Sequence, residues 1–394
     1  MPTVNRMPSR IQTTNTASIA RPPRGQGLPK ALTVGVIVHG HAEEIDAEMV
    51  ELAALAGTAG ARVEDSMIQR VDRLDPATWI GRGKSREMAA RIQQEGFHLI
   101  IFNGNLSPTQ IRNLQDLVGS DVKILDRPGL ILDIFARNAR SRDAKLRVEL
   151  AQLQYLLPRL AGLWRHLERQ QGGIGTRGPG ETQIEVDRRM ARKRLSILQE
   201  QIDRMGRARG VQRSSRAGIP RVALVGYTNA GKSTLLNAFT RAGVLAENRL
   251  FSTLDTKTAA VVYPPQNGTS APFRVLLSDT VGFIRHLPDH LFDAFLSTLD
   301  EVREADLVLH VLDVSAPEFR RHAEVVRDVL AKIAADRSVL TVLNKADRLD
   351  VLPDHLLREF PDSVFISAHT GMGLASLREA IRQKLTAPRA HALS

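Results

Sequence analysis

Short apolar runs alternate with amphipathic stretches in the N-terminal third of the chain. Residues 32–38 and 98–102 are apolar runs that predict buried strands. Between them, residues 43–56 have the apolar spacing of a helix. Strands that alternate with helices indicate a parallel sheet. We therefore predict a small α/β domain over residues 31–136.

A different pattern follows, in which apolar residues recur at intervals of four and three. They are Leu146, Leu150, Leu153, Leu157, Leu160, Trp164 and Leu167. This spacing predicts one long helix with a heptad seam. Residues 172–180 contain five glycines and one proline, which end the helix, and a second helical pattern runs to about residue 205. We predict an antiparallel hairpin over residues 137–205, with the glycine-rich loop at its tip.

The C-terminal half returns to alternating strands and helices after a linker at residues 206–220. Its apolar strand candidates are residues 222–226, 275–279, 307–313, 339–344 and 364–367. Each run ends in polar residues, and parallel sheets bind ligands at the carboxyl ends of their strands. We therefore predict a second α/β domain with a parallel sheet and a ligand site over residues 221–386, followed by a tail at 387–394.

Charge is concentrated in two segments of the chain. The net charge is +11, and residues 137–216 alone hold nineteen Lys and Arg against eight Asp and Glu. This excess predicts a polyanionic partner for the hairpin, of which nucleic acid is the commonest. Residues 1–30 add five cations and no acid. Their composition predicts a disordered basic tail, although a mitochondrial transit peptide has the same composition.

Two absences narrow the class of protein. The chain contains no cysteine, which excludes disulfides, thiol catalysis and cysteine-ligated zinc. No stretch approaches the roughly 18 consecutive apolar residues of a membrane span. We expect a cytoplasmic monomer, with loose membrane association or organellar targeting by residues 1–30 as the alternatives.

A phosphate-binding motif follows the first strand of the C-terminal domain. It comprises Gly226, Tyr227, Thr228, Asn229, Ala230, Gly231, Lys232 and Ser233, and matches G-x-x-x-x-G-K-[ST]. Its glycines let backbone N–H groups surround the phosphates, and the following helix directs its positive dipole end toward them. We expect Lys232 to contact the terminal phosphates and Ser233 to bind Mg²⁺.

A second motif indicates that the base is guanine. It comprises Asn344, Lys345, Ala346 and Asp347, about 110 residues after the P-loop. The Asp347 carboxylate can accept hydrogen bonds from N1–H and the exocyclic amine of guanine, whereas adenine has no donor at either position. The tripeptide Ser367, Ala368 and His369 also follows a strand, and its amides are candidates for the guanine carbonyl.

Two further segments complete the predicted GTP site. They are Asp279, Thr280, Val281 and Gly282, and Phe251, Ser252, Thr253, Leu254 and Asp255. Asp279 is expected to hold Mg²⁺ through water, Thr253 to supply a second hydroxyl ligand, and Gly282 to sense the γ-phosphate. Lys232, Thr253 and Gly282 are therefore the candidate catalytic residues. Phe283 replaces the glutamine that orients the attacking water in many GTPases, so slow intrinsic hydrolysis is expected.

Taken together, these motifs resemble the HflX family of translational GTPases, within the group that includes Obg and Era. The resemblance covers about residues 32–385 and includes five segments outside the GTPase domain. They are residues 79–84, 102–108, 130–135, 156–160 and above all 172–183, Gly-Gly-Ile-Gly-Thr-Arg-Gly-Pro-Gly-Glu-Thr-Gln. It implies a nucleotide-binding-like N-terminal domain, a helical hairpin and a GTPase domain that bind the large ribosomal subunit and split or recycle stalled ribosomes.

The resemblance leaves several features open. Residues 256–260, Thr-Lys-Thr-Ala-Ala, stand where the family usually has proline and basic residues, in the expected mobile switch. Residues 81–84, Gly-Arg-Gly-Lys, correspond to a segment that the family associates with an ATP-related activity. From the residues alone they form a glycine turn with two cations, which favours a structural turn or an RNA contact over a second nucleotide site. A role in large-subunit assembly and a guanine-nucleotide sensor that binds RNA are the alternative functions.

The hairpin supplies the candidate RNA contacts of this interpretation. They are Arg177, Arg188, Arg189, Arg192, Lys193 and Arg194. Arg177 lies in the glycine-rich loop, where small residues allow the backbone to approach nucleotides closely. The other five lie in the second helical pattern and would contact phosphates by charge.

Overall fold

The computed structural model describes residues 27–38, 44–170, 183–214, 218–240, 250–251, 256–263, 272–285, 300–334, 336–351 and 354–386. These residues form two compact units. The first contains the described residues up to Arg137 together with Lys145–Asp203. The second contains Asn138–Ala144 and the described residues from Arg204 onward. Within the described ranges, no helix is both long and apolar enough to cross a membrane.

Four strands form the sheet of the first unit, and all neighbouring pairs are parallel. The strands are β1 (Lys30–Val38), β2 (Arg62–Val71), β3 (Leu99–Phe102) and β4 (Lys123–Asp126), in the order β2-β1-β3-β4. The helices that connect and follow them are α1 (Ile45–Thr58), α2 (Arg82–Glu95), α3 (Pro108–Val118) and α4 (Arg127–Asn138). This confirms the predicted α/β fold with a parallel sheet.

The apolar pattern does not reveal β2 and β4. β2 is an edge strand whose alternate residues are exposed, so its sequence contains no continuous apolar run. β4 has only four residues, although three of them are buried. Both strands were therefore missed because short or half-exposed strands carry a weak sequence signal.

Two long helices follow the N-terminal sheet, α5 (Arg142–Gln170) and α6 (Gln183–Ser214). Arg194 of α6 and Glu149 of α5 form an ion pair at 2.7 Å. The glycine-rich loop and Arg177 lie outside the described residues. The predicted linker at residues 206–220 was wrong in its first part, because α6 continues to Ser214. Isolated glycines cost a helix only about 1 kcal/mol each, and the flanking residues are good helix formers.

The second unit contains a six-stranded sheet with the order β10-β9-β8-β5-β7-β6. Its strands are β5 (Arg221–Gly226), β6 (Lys257–Tyr263), β7 (Phe273–Asp279), β8 (Leu307–Asp313), β9 (Ser338–Asn344) and β10 (Val364–Phe365). Its helices are α7 (Lys232–Thr240), α8 (Phe319–Ile333), α9 (Asp354–Glu359) and α10 (Leu374–Thr386). Five strands are parallel and β6 is antiparallel to β7. The predicted P-loop GTPase fold is therefore confirmed, with one antiparallel edge strand added.

Residues 257–260, which belong to the segment predicted as a mobile switch, lie in the edge strand β6. Lys257 pairs with Asp279, and Thr258 pairs with Ser278. The hydroxyl oxygens of Thr258 and Ser278 are 2.9 Å apart, which adds a side-chain contact to the backbone ladder. Alternation of Val261 and Tyr263 with exposed residues favours a half-buried strand at this position.

Candidate nucleotide site

The P-loop connects β5 to α7 and needs glycine at two points. A Cβ atom at Gly226 would lie 2.2 Å from the carbonyl oxygen of Val311. Gly231 has a φ of +95°, and a Cβ there would lie 2.2 Å from Nδ2 of Asn344. Neither backbone nor buried amide can move away cheaply, so larger residues are excluded from both positions. The predicted motif therefore folds into a tight loop at the carboxyl end of β5.

Lys232 begins α7 and its side chain points back into the loop. Its Nζ donates to the carbonyl oxygens of Gly226, at 3.0 Å, and Tyr227, at 2.8 Å. Burial lowers the pKa of Lys232 to about 8; nearby Asp279 opposes this shift, and Lys345 adds to it. The amine is thus held where anionic phosphates would favour its charged form.

Ser233 and Asp279 meet beside Lys232. The Ser233 hydroxyl donates to Oδ2 of Asp279 at 2.6 Å, and the Asp279 side chain is fully buried at the end of β7. Thr280 is fixed by a bond from its hydroxyl to the carbonyl oxygen of Leu224, at 2.6 Å. A hydroxyl and a carboxylate are the hard oxygen donors that Mg²⁺ prefers. These residues therefore fit a divalent metal, although the described residues contain no cluster of three or more His, Asp or Glu that could hold one alone.

Gly282 lies against both the P-loop and the amine of Lys232. A Cβ at Gly282 would lie 2.7 Å from Cα of Thr228 and 3.0 Å from Nζ of Lys232. Phe283 follows with a buried side chain. A phenyl ring has no polar atom with which to orient water. The segment that follows β7 therefore closes on the P-loop but offers no glutamine-like group at this position.

Two segments are predicted to recognise guanine, and Asn344 connects both of them to the P-loop. Its Nδ2 donates to the carbonyl oxygen of Ala230 at 2.8 Å, and its Oδ1 accepts from the amide of Ala368 at 3.0 Å. Lys345 adopts a positive φ of 62° and forms a 2.6 Å ion pair with Asp313 at the end of β8. One buried amide thus joins the loops that follow β5, β9 and β10.

The remaining base-side residues differ in exposure. Asp347 lies in a short 3₁₀ turn, Ala346–Arg348, and is exposed. The amide of Ala346 donates to the carbonyl oxygen of Ile366 at 3.0 Å, which holds this turn against the loop after β10. Ser367 and Ala368 are buried, whereas His369 is exposed. The carboxylate that is predicted to read guanine is therefore accessible to a ligand.

The predicted switch segment is described only at Phe251. Its ring is buried, its φ is +56°, and its carbonyl oxygen accepts from Nδ2 of Asn138 at 2.7 Å. Ser252, Thr253, Leu254 and Asp255 lie outside the described residues. Asn138 belongs to the same compact unit as Phe251 although it precedes α5 in the chain. No spacing or motif in the sequence could have identified this contact.

The N-terminal segment Gly81-Arg-Gly-Lys84 begins α2. Gly81 occupies the N-cap position, and its amide donates to Oε1 of Gln69 at 3.0 Å. Lys84 forms an ion pair with Glu87 at 2.8 Å on the same helix. These contacts favour the interpretation of this segment as a structural turn.

The candidate RNA contacts on α6 do not share one environment. Arg189, Arg192 and Lys193 are exposed, whereas Arg188 is half-buried. Arg194 is also half-buried and is paired with Glu149. The pair already neutralises much of the charge of Arg194, so the exposed three are the stronger candidates.

Three family profiles match successive parts of the chain between residues 46 and 345. The family profile described as GTP-binding GTPase N-terminal matches residues 46–136. GTP-binding GTPase Middle Region matches residues 138–216, and 50S ribosome-binding GTPase matches residues 221–345. A crystal structure of a GTP-binding protein from Sulfolobus solfataricus in complex with GDP is 24% identical, covers 90% of this chain and 99% of its own, and has a TM-score of 0.46. That score is too low to support a functional conclusion.

Curated relatives are considerably more similar. GTPase HflX of Flavobacterium psychrophilum is 48% identical over 335 residues, which cover 84% of this chain and 79% of that protein. GTPase HflX of Escherichia coli is 42% identical over 345 residues, which cover 86% of this chain and 79% of that protein. The chain therefore belongs to the HflX family of GTPases and is a GTP hydrolase.

Proposed function

We propose that this GTPase binds the large ribosomal subunit through its RNA and dissociates or rescues stalled ribosomes, with GTP hydrolysis driving release. The match of residues 221–345 to the 50S ribosome-binding GTPase profile supports this partner. The observation that carries the proposal is the exposed basic surface of α6, formed by Arg189, Arg192 and Lys193. We further propose a cytoplasmic location.

The length of α6 suits an arm that reaches into a large RNA particle. It has 32 residues, so at 1.5 Å per residue it spans about 48 Å. Arg189 and Lys193 are four positions apart and Arg192 three from Arg189, so the three cations share one face. Such a face neutralises phosphates by charge and releases counterions on binding.

The contacts around the P-loop support the proposed nucleotide roles. Lys232 contacts the terminal phosphates, and Gly282 offers its amide to the γ-phosphate beside that amine. Asp347 accepts the two donors of guanine. An adenine would leave this acceptor unpaired, at a cost of about 1–3 kcal/mol.

Mg²⁺ is the proposed divalent metal. Ser233 would bind it directly and Asp279 through water, while Thr253 is the predicted second hydroxyl ligand. Bound there, the metal would neutralise charge on the phosphate oxygens. The part-buried hydrogen bond between Ser233 and Asp279 keeps the two metal-binding oxygens together.

Hydrolysis is slow until the ribosome is bound. The buried Phe283 ring leaves no water-orienting group at the position where glutamine is common. Another group, from this chain or from the ribosome, must therefore position the attacking water. We propose that ribosome binding supplies or orders this group, which makes it a condition for fast turnover.

Turnover of GTP with intact ribosomes, with free large subunits and without RNA tests this function. Stimulation by intact ribosomes, together with their separation into subunits on a sucrose gradient, is the expected result. Stimulation by immature large subunits alone would instead indicate an assembly role. Equal turnover under all conditions would indicate a nucleotide sensor and contradict the proposal.

A further inference from the structure

The segment after β7 is attached to the P-loop by backbone bonds beyond the end of the sheet. The amide of Phe283 donates to the carbonyl oxygen of Gly226 at 3.1 Å, and the amide of Thr228 donates to the carbonyl oxygen of Phe283 at 2.8 Å. Tyr227 and Phe283 thereby form a parallel bridge. These bonds bring Gly282 against Thr228 and Lys232, so any movement of this segment would change the gap in front of the Lys232 amine.

Tyr227, the second residue of the P-loop, fixes the end of this segment with its side chain. Its hydroxyl oxygen accepts from the backbone amide of Arg285 at 2.9 Å. Its ring stacks on the imidazole of His322 from α8, with 3.8 Å between ring centroids and 13° between planes. The same side chain thus contacts the segment after β7 and a neighbouring helix.

Arg285 is held by the same helix through its charge. Its side chain is 4% exposed and its Nη2 forms a 2.7 Å ion pair with Oε2 of Glu318, which precedes α8. Buried arginines need a charged or hydrogen-bonding partner, because desolvation of an unpaired cation is costly. Glu318 and His322 are four residues apart, which brings both to one face of the first turns of α8.

The stacked histidine is neutral at physiological pH. Burial lowers the pKa of His322 to about 4; Arg285 adds to this shift, whereas Glu318 and Asp313 oppose it. A neutral imidazole can stack on Tyr227 without repelling the nearby guanidinium. The stack and the ion pair are therefore compatible with each other around pH 7.

We propose that Tyr227, Arg285, Glu318 and His322, the Tyr227 cluster, are positioning residues that hold the amide of Gly282 at the γ-phosphate position. This inference rests on the proposed nucleotide roles and goes beyond them, since those roles assign none of these four side chains to a phosphate, metal or base contact. GDP lacks the phosphate that Gly282 would contact. The cluster should therefore affect binding and hydrolysis of GTP while leaving GDP binding unchanged.

The test uses two variants of the full chain that disturb different members of the cluster. Tyr227→Phe removes one hydroxyl oxygen and keeps the ring stack, and Glu318→Gln removes the charge that pairs with Arg285. Glu324→Gln is the matched control, because Glu324 lies on α8 and is exposed. Glu318→Gln leaves the buried Arg285 without its charged partner and could unfold the protein. Tyr227→Phe removes only one hydroxyl group, so it still tests the proposal in that case.

The measured quantities are kcat and KM for GTP without ribosomes, and the Kd values of GDP and of a non-hydrolysable GTP analogue. We expect kcat and analogue affinity to fall roughly ten-fold in both cluster variants, about the effect of one lost hydrogen bond. GDP affinity should stay within about two-fold of the parent, as in the control.

Two results in the cluster variants would overturn the proposal. Parent-like kcat and analogue affinity in both cluster variants would show that the cluster does not position Gly282. Equal losses of GDP and analogue affinity would show that it supports the whole loop and does not distinguish the two nucleotides. A separate Lys232→Ala variant isolates the underlying site: parent-like GTP binding there would overturn both the nucleotide site and the cluster.

Discussion

The two parallel sheets of this protein use their carboxyl edges in opposite ways. In the GTPase sheet, the loops after β5, β7 and β9 contact each other through backbone and buried amide groups, and leave Asp347 exposed. In the N-terminal sheet, side chains of α5 lie at the carboxyl end of β4. Asp126 accepts hydrogen bonds there from the Leu106 and Gly129 amides, the Tyr155 hydroxyl and the Arg159 guanidinium.

This difference shows that the carboxyl edge of a parallel sheet, where ligands usually bind, can instead hold a helix of the same chain in place. Asp126 is 1% exposed, and Arg159 also bonds to the carbonyl oxygen of Leu106 and stacks 3.6 Å above the Tyr155 ring. Burial and the Asp126 charge raise the pKa of Tyr155 well above its usual value, so its hydroxyl stays protonated as a donor. The N-terminal edge therefore holds α5, whereas the GTPase edge is available to nucleotide.

The largest effect on nucleotide binding is expected from Lys232→Ala at the GTPase edge. GTP affinity should fall about 100-fold, because hydrogen bonds to charged groups contribute about 1.5–3 kcal/mol each. Isothermal titration in the presence of magnesium measures this directly. Lys332→Ala, at an exposed position on α8, is the control. Parent-like affinity in Lys232→Ala would show that the assigned P-loop does not bind phosphate.

At the N-terminal edge, Arg159→Met should destabilise the first unit by about 3–5 kcal/mol. This is the usual cost of removing one member of a buried ion pair, because the other charge stays buried without its partner. Both tryptophans of the chain, Trp79 and Trp164, belong to this unit, so urea unfolding monitored by their fluorescence reports its stability. Arg86→Met, at an exposed position on α2, is the control.

GDP affinity should be unchanged in Arg159→Met, since the nucleotide site belongs to the other unit. Loss of GDP binding without any shift of the fluorescence transition would contradict the assignment of separate roles to the two edges. Unchanged stability would show that the Asp126 contacts do not anchor α5.

Base recognition gives the next largest effect. Asp347→Asn should weaken GTP binding by about 10- to 100-fold, since the new amide presents a donor where guanine also has donors. Affinity should shift toward xanthosine nucleotides, which offer an acceptor there. Competition between GTP and xanthosine triphosphate measures the change. Equal GTP affinity in variant and parent would contradict the base-reading role of Asp347.

A smaller effect is expected on the pH dependence of GTP binding, through protonation of the Lys232 amine. Its pKa is lowered to about 8 by burial, so near pH 8 about half of the nucleotide-free molecules have a neutral amine. Phosphate binding favours the charged amine and should take up about half a proton at pH 8 and almost none at pH 6. GTP affinity should therefore weaken as the pH rises above 8. Calorimetry in buffers of different ionisation enthalpy measures the uptake, and none at pH 8 would contradict the lowered pKa.

The sequence predicted the P-loop and the polar ends of β5, β7 and β9 because local motifs follow recognisable apolar strands. Half-exposed β2 and β6 were missed, since edge strands lack a continuous apolar run. Contacts such as Tyr227 with His322, or Asn138 with Phe251, join residues about 95 and 113 positions apart. No local pattern encodes such pairs, because tertiary packing alone brings them together.

The central claim is that a basic arm couples the ribosome to GTP hydrolysis. The most direct measurement is the ratio of ribosome-stimulated to basal GTP turnover after replacing Arg189, Arg192 and Lys193 with Gln. Replacing the exposed cations Arg86, Lys332 and Arg358 with Gln removes the same charge elsewhere. We predict unchanged basal turnover in both variants and a lower ratio only in the α6 variant, most clearly at higher salt. An α6 ratio equal to that of the parent would contradict the account.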